Sequence, residues 1–144
     1  QVQILQLLAR LQRESNLALI LITHNLGVVS RIADRVAVMY GGQIVETGSA
    51  AEIFAGPLHP YTRGLLACLP ERSERGRAQR LGSIPGLVPS LVGAMTGCIF
   101  RNRCVEAMSR CEAGQIPIRR LSETRAYRCV MAPAATAAIA GAPT

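Results

Sequence analysis

The chain has 144 residues, 49% of them apolar, enough for one modest core or two small units of a soluble globular protein. Its net charge is +7 and all 16 basic residues are arginine, a composition that would suit a nucleic-acid or acidic-lipid surface. The arginines are instead spread through helices, linkers and the C-terminal half, and Tyr61, Phe100 and Tyr127 lack the clustered spacing of a base-stacking platform, so a solvated basic surface is the preferred reading. No apolar run reaches the roughly 20 residues of a membrane-spanning helix and no signal peptide is recognisable, so the chain is expected to lie beside a membrane at most.

Ile4, Leu5, Leu8 and Leu11 recur at helical spacing and predict an amphipathic helix over 1–14, closed by the Ser15-Asn16 turn. That pattern begins at Gln1 without a cap or an initiator methionine, and the expectation is a truncated chain. Leu17 to Ile22 is continuously apolar, as in a strand buried on both faces of a parallel sheet, which places His24 at a strand's carboxyl end, where α/β folds gather ligands. Asn25 suits the N-cap of a following helix whose buried stripe is Leu26, Val29 and Ala33. Val36 to Tyr40 and Gln43 to Thr47 read as a hairpin around Gly41-Gly42, with Gly48 breaking the second strand.

Ser49 and Glu52 form a capping box for a short helix that Gly56-Pro57 stops. Pro60 then opens another helix, running through Leu65 and Leu66 toward Pro70, with His59 in a packing or capping role and Cys68 as a small buried hydrophobe. The charged stretch 71–80 reads as a solvated linker, and Ile84 to Pro89 as a rigid extended turn. Residues 132–144 hold almost nothing large to bury and are expected to be a disordered Ala/Pro tail.

Between linker and tail, Cys98, Cys104, Cys111 and Cys129 are spaced C-x5-C-x6-C-x17-C in a segment with little apolar mass of its own. A metal is the expected staple, since no export signal is recognisable that would take the chain to a compartment where disulfides persist. Zinc prefers tighter C-x2-4-C knuckles, whereas wider gaps let thiolates converge on a larger body such as a [4Fe-4S] cube. Spacing alone leaves cluster, zinc and free thiols open.

Ile22-Thr23-His24, Leu26 to Val29, Ala33 to Val36, Val38 to Tyr40, Gly42, Gly48 and the segment His59-Pro60-Tyr61-Thr62 together resemble the ATPases of ABC transporters, in the oligopeptide/dipeptide importer branch. Asn25 stands where that family usually has aspartate, and both residues cap a helix. The run Gly97 to Cys104, with Cys111, Pro117 and Cys129, resembles the family's C-terminal extension, some members of which carry a [4Fe-4S] cluster; Met95 stands where proline is frequent.

The resemblance implies an α/β fold, with residues 1–70 as the C-terminal part of a P-loop NTPase (ABC ATPase) domain and 71–131 as a cysteine-rich, loop-rich extension. It implies His24 as the catalytic and nucleotide-binding "switch" histidine and MgATP as cofactor. Cys98, Cys104, Cys111 and Cys129 are the implied ligands of one [4Fe-4S] cluster, whose charge Arg101, Arg103, Arg110 and Arg128 would offset. The implied partners are a second ATPase subunit, integral-membrane permeases and, indirectly, a peptide-binding protein, with no nucleic acid, at the cytoplasmic face of the cell membrane. Walker A, signature and Walker B motifs do not occur in these 144 residues, so this chain alone is expected neither to bind ATP tightly nor to hydrolyse it. The rival reading is a basic zinc-binding module that contacts nucleic acid.

Overall fold

In a computed structural model, residues 2–69, 84, 86 and 96–133 are described. Helix α1 spans Val2–Ser15 and α2 spans Leu26–Ile32. Strands β1, Arg35–Tyr40, and β2, Gln43–Ser49, follow, then α3, Ala50–Ala55, and α4, Pro60–Ala67. Two 3-10 turns, Arg101–Arg103 and Ser109–Cys111, precede the short strands β3, Arg119–Arg120, and β4, Ala126–Tyr127. No helix among the described residues is long and apolar enough to cross a membrane.

The local signals form as their chemistry requires. The hairpin turns through Gly41 and Gly42, both at positive φ (54° and 77°), which L side chains resist. Asn25 caps α2 by accepting from the Val28 amide at 3.2 Å. The Ser49 hydroxyl takes the Glu52 amide while the Glu52 carboxylate takes the Ser49 amide at 2.8 Å, which completes the capping box of α3. Pro60 is the first residue of α4, and the His59 ring caps it by accepting from the Tyr61 amide at 3.1 Å.

The sheet is antiparallel, in the order β1-β2-β4-β3, so it joins residues from both sides of the charged stretch 71–80. Val38, Tyr40, Val45 and Ile53 pack with Ile99 and Phe100 in one buried cluster. Tyr40, Tyr61 and Phe100 stack around one another at centroid distances of 4.8–5.3 Å.

Several expectations are overturned. Leu17 to Ile22 is neither a strand nor buried: Ile20 is 90% and Ile22 95% exposed, and no parallel strand pairs with them among the described residues. A doubly buried strand needs neighbours on both edges and both faces, and the described residues supply no strand beside it. The stripe of α2 is only half-buried among the described residues. Cys68 is half-buried too, its thiol donating to the Gly64 carbonyl at 3.2 Å. The linker at 71–80, most of the turn at 84–89, Met95 and the tail beyond 133 lie outside the described residues.

Gly48 does not break β2, which continues to Ser49. A Cβ there would stand 2.6 Å from Nη1 of Arg125. Arg125 needs that space for a buried ion pair with Glu46 at 2.8 Å, the two side chains 7% and 0% exposed. Glu46 also accepts the Leu58 amide at 2.8 Å and the His59 amide at 2.9 Å, and Arg125 donates to the Gly56 carbonyl at 2.6 Å. One carboxylate and one guanidinium thus hold β2, the α3–α4 connection and the residue leading into β4.

Removing one member of a buried pair strands the other charge, so Glu46→Ala and Arg125→Ala should each cost about 3–5 kcal/mol in urea unfolding. The double variant should cost about 1–3 kcal/mol less than the sum, because the two changes remove one shared interaction. Wild-type unfolding midpoints in the single variants would show that the pair does not hold the fold.

Candidate functional site

His24 lies in a bend between the extended segment and α2, exposed, and does not wall the cysteine cavity. Its neighbour Thr23 holds the local turn, accepting from the Asn25 amide at 3.0 Å. The imidazole is exposed to solvent, and no hydrogen bond or ion pair reaches it among the described residues.

The four spaced cysteines behave differently. Cys98, Cys104, Cys111 and Cys129 all line one small pocket, together with His59 and Glu106. The main chain sets them there. The Cys98 amide donates to the Cys111 carbonyl at 2.7 Å, and Gly97, at φ 77°, leaves no room for a Cβ against that same carbonyl. The two 3-10 turns close on Cys104 and Cys111 through amide bonds to Arg101 (3.2 Å) and Met108 (2.8 Å). The Arg128 amide donates to the Val45 carbonyl at 2.8 Å and so fixes Cys129 beside the sheet.

None of the four is in a disulfide. Burial is the main reason that Cys98, Cys104 and Cys129 are pushed above the usual thiol range, and neighbouring cysteines add to it. They are therefore protonated and weakly nucleophilic at neutral pH. As placed, no three His, Cys, Asp or Glu side chains among the described residues are gathered closely enough to hold a metal ion. The cavity measures about 10 Å³, the room of one water.

The arginines expected to neutralise thiolate charge mostly serve the backbone. Arg101 donates to the carbonyls of Thr96 (2.7 Å) and Cys98 (3.3 Å), Arg103 to Ile84 (3.0 Å), and Arg128 to Ile116 (2.7 Å) and Ile44 (3.3 Å). Arg110 points its guanidinium at the Met108 sulfur, 3.7 Å away. The cation that acts on Cys129 is Arg63, from α4, which is also ion-paired with Glu106. Nothing in the spacing of the sequence announced Arg63, Glu106, Glu46 or Arg125; only the fold brings them together.

His59 joins the cavity to the rest of the molecule. It is 1% exposed, and its ring lies 5.8 Å from that of Phe100. Burial, with the nearby Arg63 charge, lowers its pKa to about 4. The unfolded chain takes up a proton near pH 6.5 and the folded one only near 4, so stability is full above 6.5 and declines as pH falls through that window. His59 should make the protein about 2 kcal/mol less stable at pH 5 than at pH 7. The difference between urea midpoints at the two pH values should shrink by that amount in His59→Asn; an unchanged difference would contradict a neutral, buried imidazole.

Residues 45–111 match the model of the C-terminal region of the oligopeptide/dipeptide transporter family. The dipeptide transport ATP-binding protein DppD of Escherichia coli is 44% identical over 129 residues, 90% of this chain and 39% of that protein. A Brucella ovis protein named for peptide import and ATP binding is 44% identical over 134 residues, 90% of this chain and 40% of its own length. A Brucella abortus protein with a similar name reaches 46% over 129 residues, 90% of this chain and 38% of that protein. The chain thus spans about two fifths of the length of the curated relatives it matches. The chain is thus similar to proteins of the oligopeptide/dipeptide transporter family, and its residues 45–111 match that family's C-terminal region.

Proposed function

We propose that the chain is part of the energising, ATP-binding subunit of a peptide ABC importer. The identity of 44% across 90% of the chain to proteins named for dipeptide or peptide transport and ATP binding carries this reading. In the longer subunit, residues 1–70 form the end of the ATPase domain, 71–131 its cysteine-bearing extension and 132–144 a tail. MgATP binds between this subunit and a second ATPase, and the pair docks on membrane permeases from the cytoplasmic face, with a peptide-binding protein delivering cargo. The rival nucleic-acid module gains no support, since Tyr40, Phe100 and Tyr127 are buried where no base could stack.

His24 is the residue for the γ-phosphate. An imidazole that donates a hydrogen bond there, and helps hold the attacking water, stabilises charge that grows in the transition state. An E. coli DppD carrying this chain in place of its matching segment should hydrolyse ATP, and His24→Ala should lower kcat about 10²–10³-fold while changing nucleotide affinity far less. An unchanged kcat would remove His24 from the chemistry.

Cys98, Cys104, Cys111 and Cys129 hold one [4Fe-4S] cluster with a structural role. The donor set supports this reading, since four thiols that line a single cavity are the complement such a cluster takes, and the one-water cavity would have to widen to admit it. The cluster would tie together turns that have few large side chains to bury. Loading displaces thiol protons, so it should strengthen as pH rises. Anaerobic reconstitution of the full chain should yield iron and acid-labile sulfide, and Cys→Ser at any of the four positions, unlike Cys68→Ser, should abolish both. Stoichiometric zinc alone would replace the cluster by an ion; neither metal would refute the centre.

A further inference from the structure

We infer that a polar depression between the two 3-10 turns binds a small zwitterion, a molecule with a free ammonium and a free carboxylate, as amino acids and short peptides have. Arg101, Asn102, Ala107, Met108, Ser109 and Glu112 line it. Its volume is about 370 Å³, within the roughly 300–1,000 Å³ of small-molecule sites. It is distinct from the cysteine pocket, with which it shares only Arg101.

The depression carries opposite charges that do not satisfy each other. The ion pairs among the described residues are Arg10–Glu14, Arg63–Glu106 and Arg125–Glu46, so Arg101 and Glu112 line one space without pairing across it. The side chains of Glu112, Asn102 and Ser109 have no hydrogen-bond partner among the described residues. Arg101 uses one nitrogen, Nη1, on the carbonyls of Thr96 (2.7 Å) and Cys98 (3.3 Å), which anchors the guanidinium. Its Nη2 and Nε donors have no partner among the described residues. A lone anion here would be repelled by Glu112, and a lone cation by Arg101. A ligand with both charges is attracted at each end, its carboxylate to Arg101 and its ammonium to Glu112, with Asn102 and Ser109 as further hydrogen-bonding groups.

The main chain holds these walls apart before any ligand arrives. The first turn is closed by the bonds from the Arg103 amide to Phe100 (3.0 Å) and from the Cys104 amide to Arg101 (3.2 Å). The second is closed by those from Cys111 to Met108 (2.8 Å) and from Glu112 to Ser109 (3.0 Å). Amide bonds from Cys98 to Cys111 (2.7 Å) and from Gly97 to Gly114 (2.6 Å) lock the two turns together. A site fixed in this way loses little freedom on binding. In the proposed importer, a short peptide is what transport delivers; naming peptide as the natural ligand rests on that reading, whereas the site itself does not.

Heteronuclear NMR of the full chain tests the site, with alanine and the dipeptide Ala-Ala as probes. At least one should shift the Asn102 and Ser109 signals with a dissociation constant of about 1 mM or below, which two charge-assisted contacts support. N-acetylation or C-amidation of that probe removes one charge and should weaken binding about tenfold. Glu112→Gln changes an exposed side chain and spares the anchored Arg101; it should abolish the preference for the free amine while keeping that for the free carboxylate. Ala-Ala binding supports both the site and its peptide ligand, and binding of alanine alone supports the site and overturns the peptide assignment. No shift with either probe at about 10 mM, or an N-acetyl form that binds as well as the free amine, would overturn the site. Either failure would leave the importer reading to be decided by the DppD chimera.

Discussion

The ion pair between Glu46 and Arg125 is the interaction on which the described fold depends. β4 meets β2 over only two residue pairs, too short a ladder to hold a loop-rich segment to a hairpin by backbone bonds alone. Burying two charges is costly, and it is tolerated when every remaining lone pair and proton finds a partner. Glu46 satisfies that condition with three donors, two of them amides from the α3–α4 connection. Arg125 adds the Gly56 carbonyl through Nη2 and lies in the space that Gly48 leaves open, while its buried Nη1 has no hydrogen-bond partner among the described residues. Glycine in the middle of a strand weakens it by itself. Here that loss gives the guanidinium its seat.

From this pair the structure passes to the cysteine cavity in few steps. Glu46 fixes the His59 amide, His59 caps α4 and faces the cavity, and α4 sends Arg63 to Glu106 beside Cys104. On the other strand, Arg125 leads through Tyr127, 1% exposed, to Arg128 and Cys129. The thiols come from three separate turns and one strand end, so their meeting is a property of the whole sheet and core. Disturbing the pair should therefore reach the cavity, while changes in α1, which packs little of its apolar face, should not.

Local signals were legible in the sequence and long-range ones were not. The Gly41-Gly42 turn, the capping box of α3, the Asn25 cap and Pro60 all act within four residues, and each forms. The four cysteines could be grouped from their spacing, because few other residues in that segment could be its staple. Glu46 could not be distinguished from a surface carboxylate in a strand, since what buries it is Arg125, far along the chain. Gly48 looked like a stop signal for the same reason. The arginines near the cysteines were assigned to thiolate charge, whereas loops without regular ladders leave carbonyls that guanidinium groups fill. Leu17 to Ile22 shows the limit of periodicity most clearly: apolarity says that a segment favours cover, and nothing among the described residues covers it.

Amide hydrogen exchange at Leu58 and His59 tests the central claim directly. Both amides donate to Glu46, in a connection between helices that would otherwise be open to solvent. If the buried pair holds the fold together, they exchange as slowly as the Arg128 amide, which is bonded to Val45 of β2, and all three speed up together in Arg125→Ala. If Leu58 and His59 exchange at surface rates while Arg128 remains protected, the carboxylate is not holding that connection, and the link from the ion pair to the cysteine cavity is contradicted.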